Sequence, residues 1–225
     1  MAKVHGVAGE WARVYGVVVG LWPLFLAVAA GGFSIATIVL KNVEAGLLLL
    51  AISFVFAIWS WSRGFKQVER FFIGARGEER VSGLLMKLPD SYHIFNDFVV
   101  GRKHVDHVVV GPSGVFAVET KCWAGKVTIE DGFVLVNGKL PDRSPLAQVK
   151  REAEYVKSAL LKEGWKGDVT PVLVFASDTF NAKIAEIQGA VVLNSCEIKS
   201  AFSSERIILP EDEKERLVRI IELRG

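Results

Sequence analysis

Two long stretches of this chain lack charge altogether. Val14 to Leu40 contains no Asp, Glu, Lys or Arg, and neither does Ala45 to Ser62. Segments of that kind are excluded from an ordinary solvent-facing surface, and they are long enough to cross a hydrocarbon core of about 30 Å. Cysteine is almost as scarce. Cys122 and Cys196 are the only two; they match no metal-binding spacing, and a reducing compartment would keep them as thiols. Cys122 lies beside Lys121, which makes a reactive thiol conceivable, but a packing role is the simpler reading. An excess of either charge is also missing. Of the 27 basic and 25 acidic residues, three and two precede residue 63, so 24 and 23 remain after it. That balance creates no strong field for nucleic acid, although a local basic patch stays open. There are no repeats, no low-complexity segment, no phosphate-cradling glycine loop and no Ser–His pair. His93 and His104 have no partner at metal-ligand spacing.

What the chain has in place of these begins with the charge-free runs. They raise the mean hydropathy to +0.33 and are joined only by Lys41-Asn-Val-Glu44. Residues 1–62 therefore read as a membrane anchor with transmembrane helices over about 14–40 and 45–62. Pro23 and Gly31-Gly32 are tolerated in such helices. Arg63, Lys66, Arg70 and Arg76 follow the second span, Lys3 and Arg13 precede the first, and the connection offers only Lys41. The positive-inside rule then predicts a multi-pass protein with both termini in the cytoplasm. Trp59 and Trp61 suit interfacial anchoring; Trp22 suits that or packing equally. A buried soluble hairpin and a signal peptide cleaved near Ala27-Val-Ala29 are the competing readings. Cleavage would still leave the large domain cytoplasmic. Residues 63–73 form a juxtamembrane linker, helical over Arg63 to Phe72, and 74–225 suffice for one domain with its own core.

In that domain, Gly74 to Leu88 has an apolar stripe, Val81, Leu85 and Leu88, at helical spacing. Glu78 falls on the stripe while Glu79 and Arg80 fall off it. An inward glutamate needs a partner, or a place in a first turn favoured by the helix dipole. Strands are predicted over Tyr92–Val100, on both sides of Gly111-Pro-Ser-Gly114, and over Thr170–Ala176 and Ala190–Leu193. A small hairpin is predicted about Asp131-Gly132. Ser144-Pro145 starts a helix running to about Lys162, with Ser as cap and Pro in the first turn. On it Leu146, Val149, Ala153, Val156 and Leu160 make the core stripe, and Gln148, Glu152 and Tyr155 a polar one. Glu211–Leu223 is a terminal helix with acids in its first turn. This order describes an α/β sandwich with a mixed sheet.

Asp106, Glu119 and Lys121 are charges inside apolar strand text: Val105-Asp-His-Val-Val-Val110 before the turn, Val115-Phe-Ala-Val-Glu-Thr-Lys121 after it. Pro112 and Gly114 suit a tight turn. If that turn spans Gly111–Gly114, Val110 pairs with Val115, and counting outward sets Asp106 opposite Glu119. Opposed strand residues have Cβ atoms roughly 4.5–5.5 Å apart. Two carboxylates so placed repel unless a cation intervenes, and Mg²⁺ favours such oxygen ligands. Lys121 projects on the Glu119 face by alternation. His107 points the opposite way and reads as a core or surface histidine. The competing account of the trio is a frayed hairpin end carrying a solvated Glu–Lys pair.

The longer text resembles a known family. Gly77-Glu78-x-x-Val81, Leu88-Pro-x-x-Tyr92-x-Ile-Phe-Asn96-Asp97, Val105-Asp106-His107 with Glu119-x-Lys121, Gly125 and Pro145-x-x-Gln148 occur in the order of the nuclease-related domain (NERD), a branch of the PD-(D/E)XK nucleases. The resemblance covers about Gly74 to Val192 and leaves the apolar hairpin outside it. It implies a restriction-endonuclease-like α/β mixed-sheet sandwich, preceded here by the two transmembrane helices. It implies Mg²⁺ or Mn²⁺ on Asp106 and Glu119, with the Thr120 carbonyl as an extra ligand. Glu78 would complete the acidic cluster or hold water beside the metal. Lys121 would position the attacking water and meet charge on the phosphate, and Gln148 would touch phosphate or water. Val105 replaces the proline of the family's Pro-Asp pair. Some relatives carry a Tyr one turn after the Gln, but here that position is Glu152, and Tyr155 reads as packing. The expected function is a membrane-anchored, divalent-metal-dependent deoxyribonuclease, with DNA and the bilayer (residues 14–62) as partners. Such nucleases often pair to cut both strands, so a homodimer is allowed; no protein partner can be named. The alternative is an inactive, membrane-tethered DNA- or protein-binding module on the same fold. Hydrolysis of another phosphoester by the same site is a third reading.

Overall fold

The structure is a computed structural model and describes residues 1–177, 180, 184–202 and 209–223. It divides into two compact units, one comprising Trp11–Ile73 and the other Met1–Glu10 with Gly74–Gly225. Helices α1 (Glu10–Val39) and α2 (Val43–Leu85) supply the first unit. Ser34, Thr37 and Ser53 donate back to the carbonyls of Ala30, Phe33 and Leu49 at 2.7–2.9 Å, while the buried Ser60 hydroxyl on α2 has no such partner. Lys41, with φ of 67°, makes the reversal between the helices. Small residues allow the two helices to approach closely. A Cβ on Gly64 would lie 2.2 Å from the Gly20 carbonyl oxygen. Outward, the apolar side chains stay uncovered, with Phe25 72% and Phe54 67% exposed.

Residues 63–73 and the amphipathic segment expected over 74–88 are helical as far as Leu85, as read from the sequence, but they are not separate elements. Both are turns of α2, which ends at Leu85. The change from apolar to charged text at Arg63 alters the solvent a helix prefers, not its backbone hydrogen bonding, and no proline interrupts Val43–Leu85.

The second unit is built on a seven-stranded mixed sheet of order β1-β2-β3-β4-β7-β9-β8. The strands are β1 (Lys3–His5), β2 (His93–Val100), β3 (Lys103–Gly111), β4 (Gly114–Lys121), β7 (Val169–Phe175), β8 (Ala185–Ile187) and β9 (Ala190–Asn194). Strands β5 (Val127–Glu130) and β6 (Phe133–Val136) form a separate hairpin. The edge strand β1, unforeseen in the sequence, pairs in parallel with β2, setting Val4 beside Ile94. The β3–β4 pairing is antiparallel with Val110 opposite Val115 and His107 opposite Val118. That is the register reached from the turn. Strand β7 then joins β4 in parallel, so the crossover through helix α3 (Pro145–Lys162) returns the chain to the centre of the sheet.

Alternation puts each strand to work on both faces. Val108, Val110, Val115 and Ala117 pack with α3 and with helix α5 (Glu211–Glu222) through Val156, Leu160, Leu217 and Ile221. Val109, Val118, Val172 and Val174 pack on the last turns of α2 through Val81 and Leu85, and on helix α4 (Ile198–Phe202). A third cluster lies beneath the β5–β6 hairpin, around Leu146, Val149, Phe175 and Phe180. Both faces of the sheet are therefore covered, and side chains at the ends of β3 and β4 emerge between α2 and α3.

Candidate active site

Each element brings one part of the acidic cluster. Continuing the β3–β4 register by one pair sets Asp106 against Glu119. Asp106 is tied there by the Thr120 amide, which donates to Oδ2 at 2.8 Å. Glu119 is 3% exposed and Asp106 8%, which rules out a solvated Glu–Lys pair at a frayed strand end. From α2 comes Glu78, also buried. Gly77 allows this approach: a Cβ there would lie 2.7 Å from Cβ of Cys122, just past the end of β4. Cys122 itself packs against the cluster that includes Val81 and Ala176.

From the opposite face α3 contributes Gln148. Ser144 caps this helix, accepting from the Ala147 amide at 3.2 Å, and Pro145 opens its first turn. The Gln148 side chain is the hub of the cluster. Its Oε1 accepts from the Lys121 ammonium at 3.0 Å, and its Nε2 donates to Glu119 at 2.7 Å and to Glu152 at 2.9 Å. Lys121 also donates to the Glu119 carboxylate. The structure thus brings together Asp106, Glu119, Lys121 and Gln148, with Glu78 in electrostatic reach of Glu119 and Lys121.

The charges in this cluster are out of balance. Burial first, then the Glu119 and Glu78 carboxylates, hold the Asp106 carboxyl well above its ordinary range. Burial, with Asp97 and Glu119 adding to it against His104 and Lys121, pushes Glu78 up from 4.5 to about 7. Burial weakens the Lys121 ammonium, but the Glu119, Asp106 and Glu152 carboxylates outweigh that and raise its pKa. Lys121 is therefore a fixed cation at neutral pH, suited to donate and not to accept a proton.

Two residues at the site escaped the sequence reading. Glu152 lies one helical turn after Gln148 and is buried; burial, then Glu119, pushes its carboxyl up to about 9. Its position on the polar stripe with Gln148 was the available signal. His104 hydrogen-bonds Asp97 at 2.7 Å and lies 3.7 Å from Asp106, bridging β2 to the cluster. Asp97 itself sits at a positive φ of 52°, which no sequence pattern discloses. His107 is a core residue: it is fully buried, bonds Asn96 at 2.8 Å, and burial lowers its pKa to about 4. Tyr155 lies under Lys103, 5.6 Å from ring centre to ammonium, apart from the cluster.

The donor set fits a hard divalent cation. Three buried carboxyls crowd one another, and Oε2 of Glu78 has no hydrogen-bond partner. A cation would relieve both. The fit is one of donor chemistry and not of preformed coordination, because no group of three His, Cys, Asp or Glu stands in ligand geometry among the described residues. In this structure the Lys121 ammonium is the cation drawn to Glu119.

Comparison with known proteins places this region of the chain in a family context. The family model described as "Nuclease-related domain" (NERD) matches residues 73–176. That span, a little under half of the chain, is similar to a nuclease-related domain, which is a nuclease fold, and it takes in β2, β3, β4 and β7 of the mixed sheet. The matched span holds Glu78, Asp106, Glu119, Lys121 and Gln148. No curated protein and no solved structure gave a match.

Proposed function

We propose that this protein is a membrane-anchored, divalent-metal-dependent nuclease that hydrolyses phosphodiester bonds of DNA. The observation carrying the proposal is the convergence of three crowded, buried carboxyls with a permanently charged lysine, inside a nuclease-related domain. Asp106, Glu119 and Glu78 would hold Mg²⁺ or Mn²⁺. When bound, the ion supplies Lewis acidity, lowering the pKa of water and drawing charge from a phosphoryl oxygen. The protein's own groups do the rest. The Thr120 amide fixes the Asp106 carboxylate, so its orientation costs nothing at the moment of reaction. Lys121 presents fixed positive charge to the phosphate as negative charge develops there. Gln148, held by Glu119 and Glu152, aims its amide oxygen at the Lys121 ammonium and keeps that group in the site.

Anchoring by α1 and α2 is part of the proposal. Both helices are long and apolar enough to cross a membrane, with mean hydropathies of 2.0 and 2.1 over their most apolar windows. Only 17% of each window is buried, which argues against a pair of soluble core helices. The basic residues flanking the hairpin favour a cytoplasmic nuclease domain.

The test is cleavage of linear, circular and single-stranded DNA by the detergent-solubilised full chain with Mg²⁺ or Mn²⁺. Glu119→Ala should abolish cutting, and Lys121→Ala should lower kcat by about 10²–10³-fold, as loss of one preorganised donor does. Cleavage that survives both substitutions would falsify the site assignment. One observation favours a second reading: the Lys121 ammonium on Glu119 satisfies that carboxylate without a metal. A binding module without turnover would retain DNA under every metal condition and cut none of it.

A further inference from the structure

The first two turns of α2 beyond its apolar stretch carry a basic groove that the nuclease site does not use. Arg63, Lys66, Gln67 and Arg70 recur at helical spacing on one face, and with Phe71 they line an open groove of about 610 Å³. Arg63, Lys66 and Arg70 are all exposed. Among the described residues none of them forms an ion pair, and Glu69, the one acid on this stretch, forms none with them. Four residues before Arg63 lies Trp59, 46% exposed, with the guanidinium stacked 4.4 Å from its ring. Trp61 and Phe65 are uncovered on the neighbouring face.

We infer that this groove binds the phosphate of an anionic phospholipid headgroup. The inference rests on the reading of α1 and α2 as membrane-spanning. Tryptophan favours the boundary between hydrocarbon and headgroups, which sets Trp59 at that level. Arg63 to Arg70 then extends about 10 Å along the helix axis, and the headgroup layer is roughly 5–8 Å deep on each side. Arg63, about 6 Å beyond Trp59, therefore stands in the outer part of that layer with its guanidinium reaching back over the Trp59 ring, and Lys66 and Arg70 stand just outside it, within the roughly 8–10 Å reach of an anionic surface. Exposed aromatics beside unpaired basic residues are the combination that binds anionic membrane surfaces. A nucleic acid would meet the same charges, but only at a surface already crowded with lipid phosphate.

The test uses the full chain in equimolar phosphatidylcholine and phosphatidylglycerol vesicles, followed by native mass spectrometry of retained lipid. Preferential retention of phosphatidylglycerol is expected. Each basic side chain at an anionic surface contributes about fivefold. Arg70→Gln should thus weaken retention about fivefold, and the Arg63→Gln/Lys66→Gln/Arg70→Gln variant about a hundredfold. These side chains are exposed, so both variants should insert as the parent does, resisting alkaline carbonate extraction. Equal retention of the two lipids by a carbonate-resistant parent overturns the inference and leaves the anchor intact. Extraction of the parent by carbonate removes both. Displacement of phosphatidylglycerol by inorganic phosphate or by a DNA duplex, at concentrations that leave the triple variant's residual lipid untouched, reassigns the groove away from lipid.

Discussion

Replacing Glu78 by glutamine should stabilise the metal-free protein in alkaline solution and leave it gaining less from metal than the parent does. The Glu78 carboxyl has a pKa near 4.5 in the unfolded chain and about 7 in the folded one. Between those values the folded state keeps a proton that the unfolded state has released, so raising the pH through this window costs stability. The shift corresponds to about 3 kcal/mol, fully expressed above pH 7 or so. Glutamine keeps the shape of the neutral acid and cannot ionise. In EDTA at about pH 8, Glu78→Gln should therefore melt roughly 6–12 °C above the parent, and the difference should vanish near pH 4. The unit that melts is Met1–Glu10 with Gly74–Gly225, and near-UV circular dichroism of the detergent-solubilised chain reads its tertiary packing. Saturating Mn²⁺ should narrow the gap. At about a hundredfold over Kd the parent gains about 2.7 kcal/mol, and a variant lacking one carboxylate gains less. Parallel melting of the two proteins at every pH in EDTA would refute the account of Glu78 as a buried, crowded acid.

Three further outcomes follow from the same geometry. Gly77→Ala should push α2 from the end of β4, since the new methyl meets Cys122 at 2.7 Å; a loss of about 1–3 kcal/mol, seen as a lower melting temperature, should accompany reduced cleavage. His107 is neutral in the core with a pKa about 4 against an ordinary 6.5, so the unfolded state binds its proton first as pH falls. His107→Gln should gain about 3 kcal/mol relative to the parent as pH drops from 6.5 to 4, measured by urea midpoints. Mn²⁺ binding at about pH 6 should release protons, because the crowded carboxyls must ionise to coordinate; calorimetry in buffers of different ionisation heat measures the number, and Asp106→Asn should remove most of the signal.

Local chemistry made much of this fold legible. Pro112 and Gly114 define a turn, the turn defines a register, and the register sets Asp106 against Glu119 with no tertiary information. Ser144-Pro145 likewise announces a helix start, and the stripe that follows it tells which face is buried. What stayed hidden depends on distant parts of the chain. Lys3–His5 becomes a strand only because β2 offers it an edge. Asp97, at φ of 52°, accepts from the Glu10 amide at 2.8 Å and bonds His104, and His104 reaches Asp106 from there. Glu152 could be placed on the polar face of α3, but its burial follows from the Gln148 and Glu119 side chains it meets. Helix α2 was read as separate pieces because composition marks where solvent changes, and a helix can pass that boundary unbroken.

Strand β1 limits how this chain can be threaded and trimmed. Lys3–His5 hydrogen-bonds to His93–Phe95, so a residue made before the apolar hairpin shares a sheet with residues made after it. An even number of bilayer crossings keeps those partners in one compartment; a single crossing would part them. Signal-peptidase cutting near Ala29 would discard the strand and leave β2 as a raw edge, open to pairing with another molecule. Shortened versions that start after the hairpin inherit the same defect, so a fragment without the apolar hairpin is better made by joining residues 1–10 to 74 through a designed loop than by deleting from the amino end.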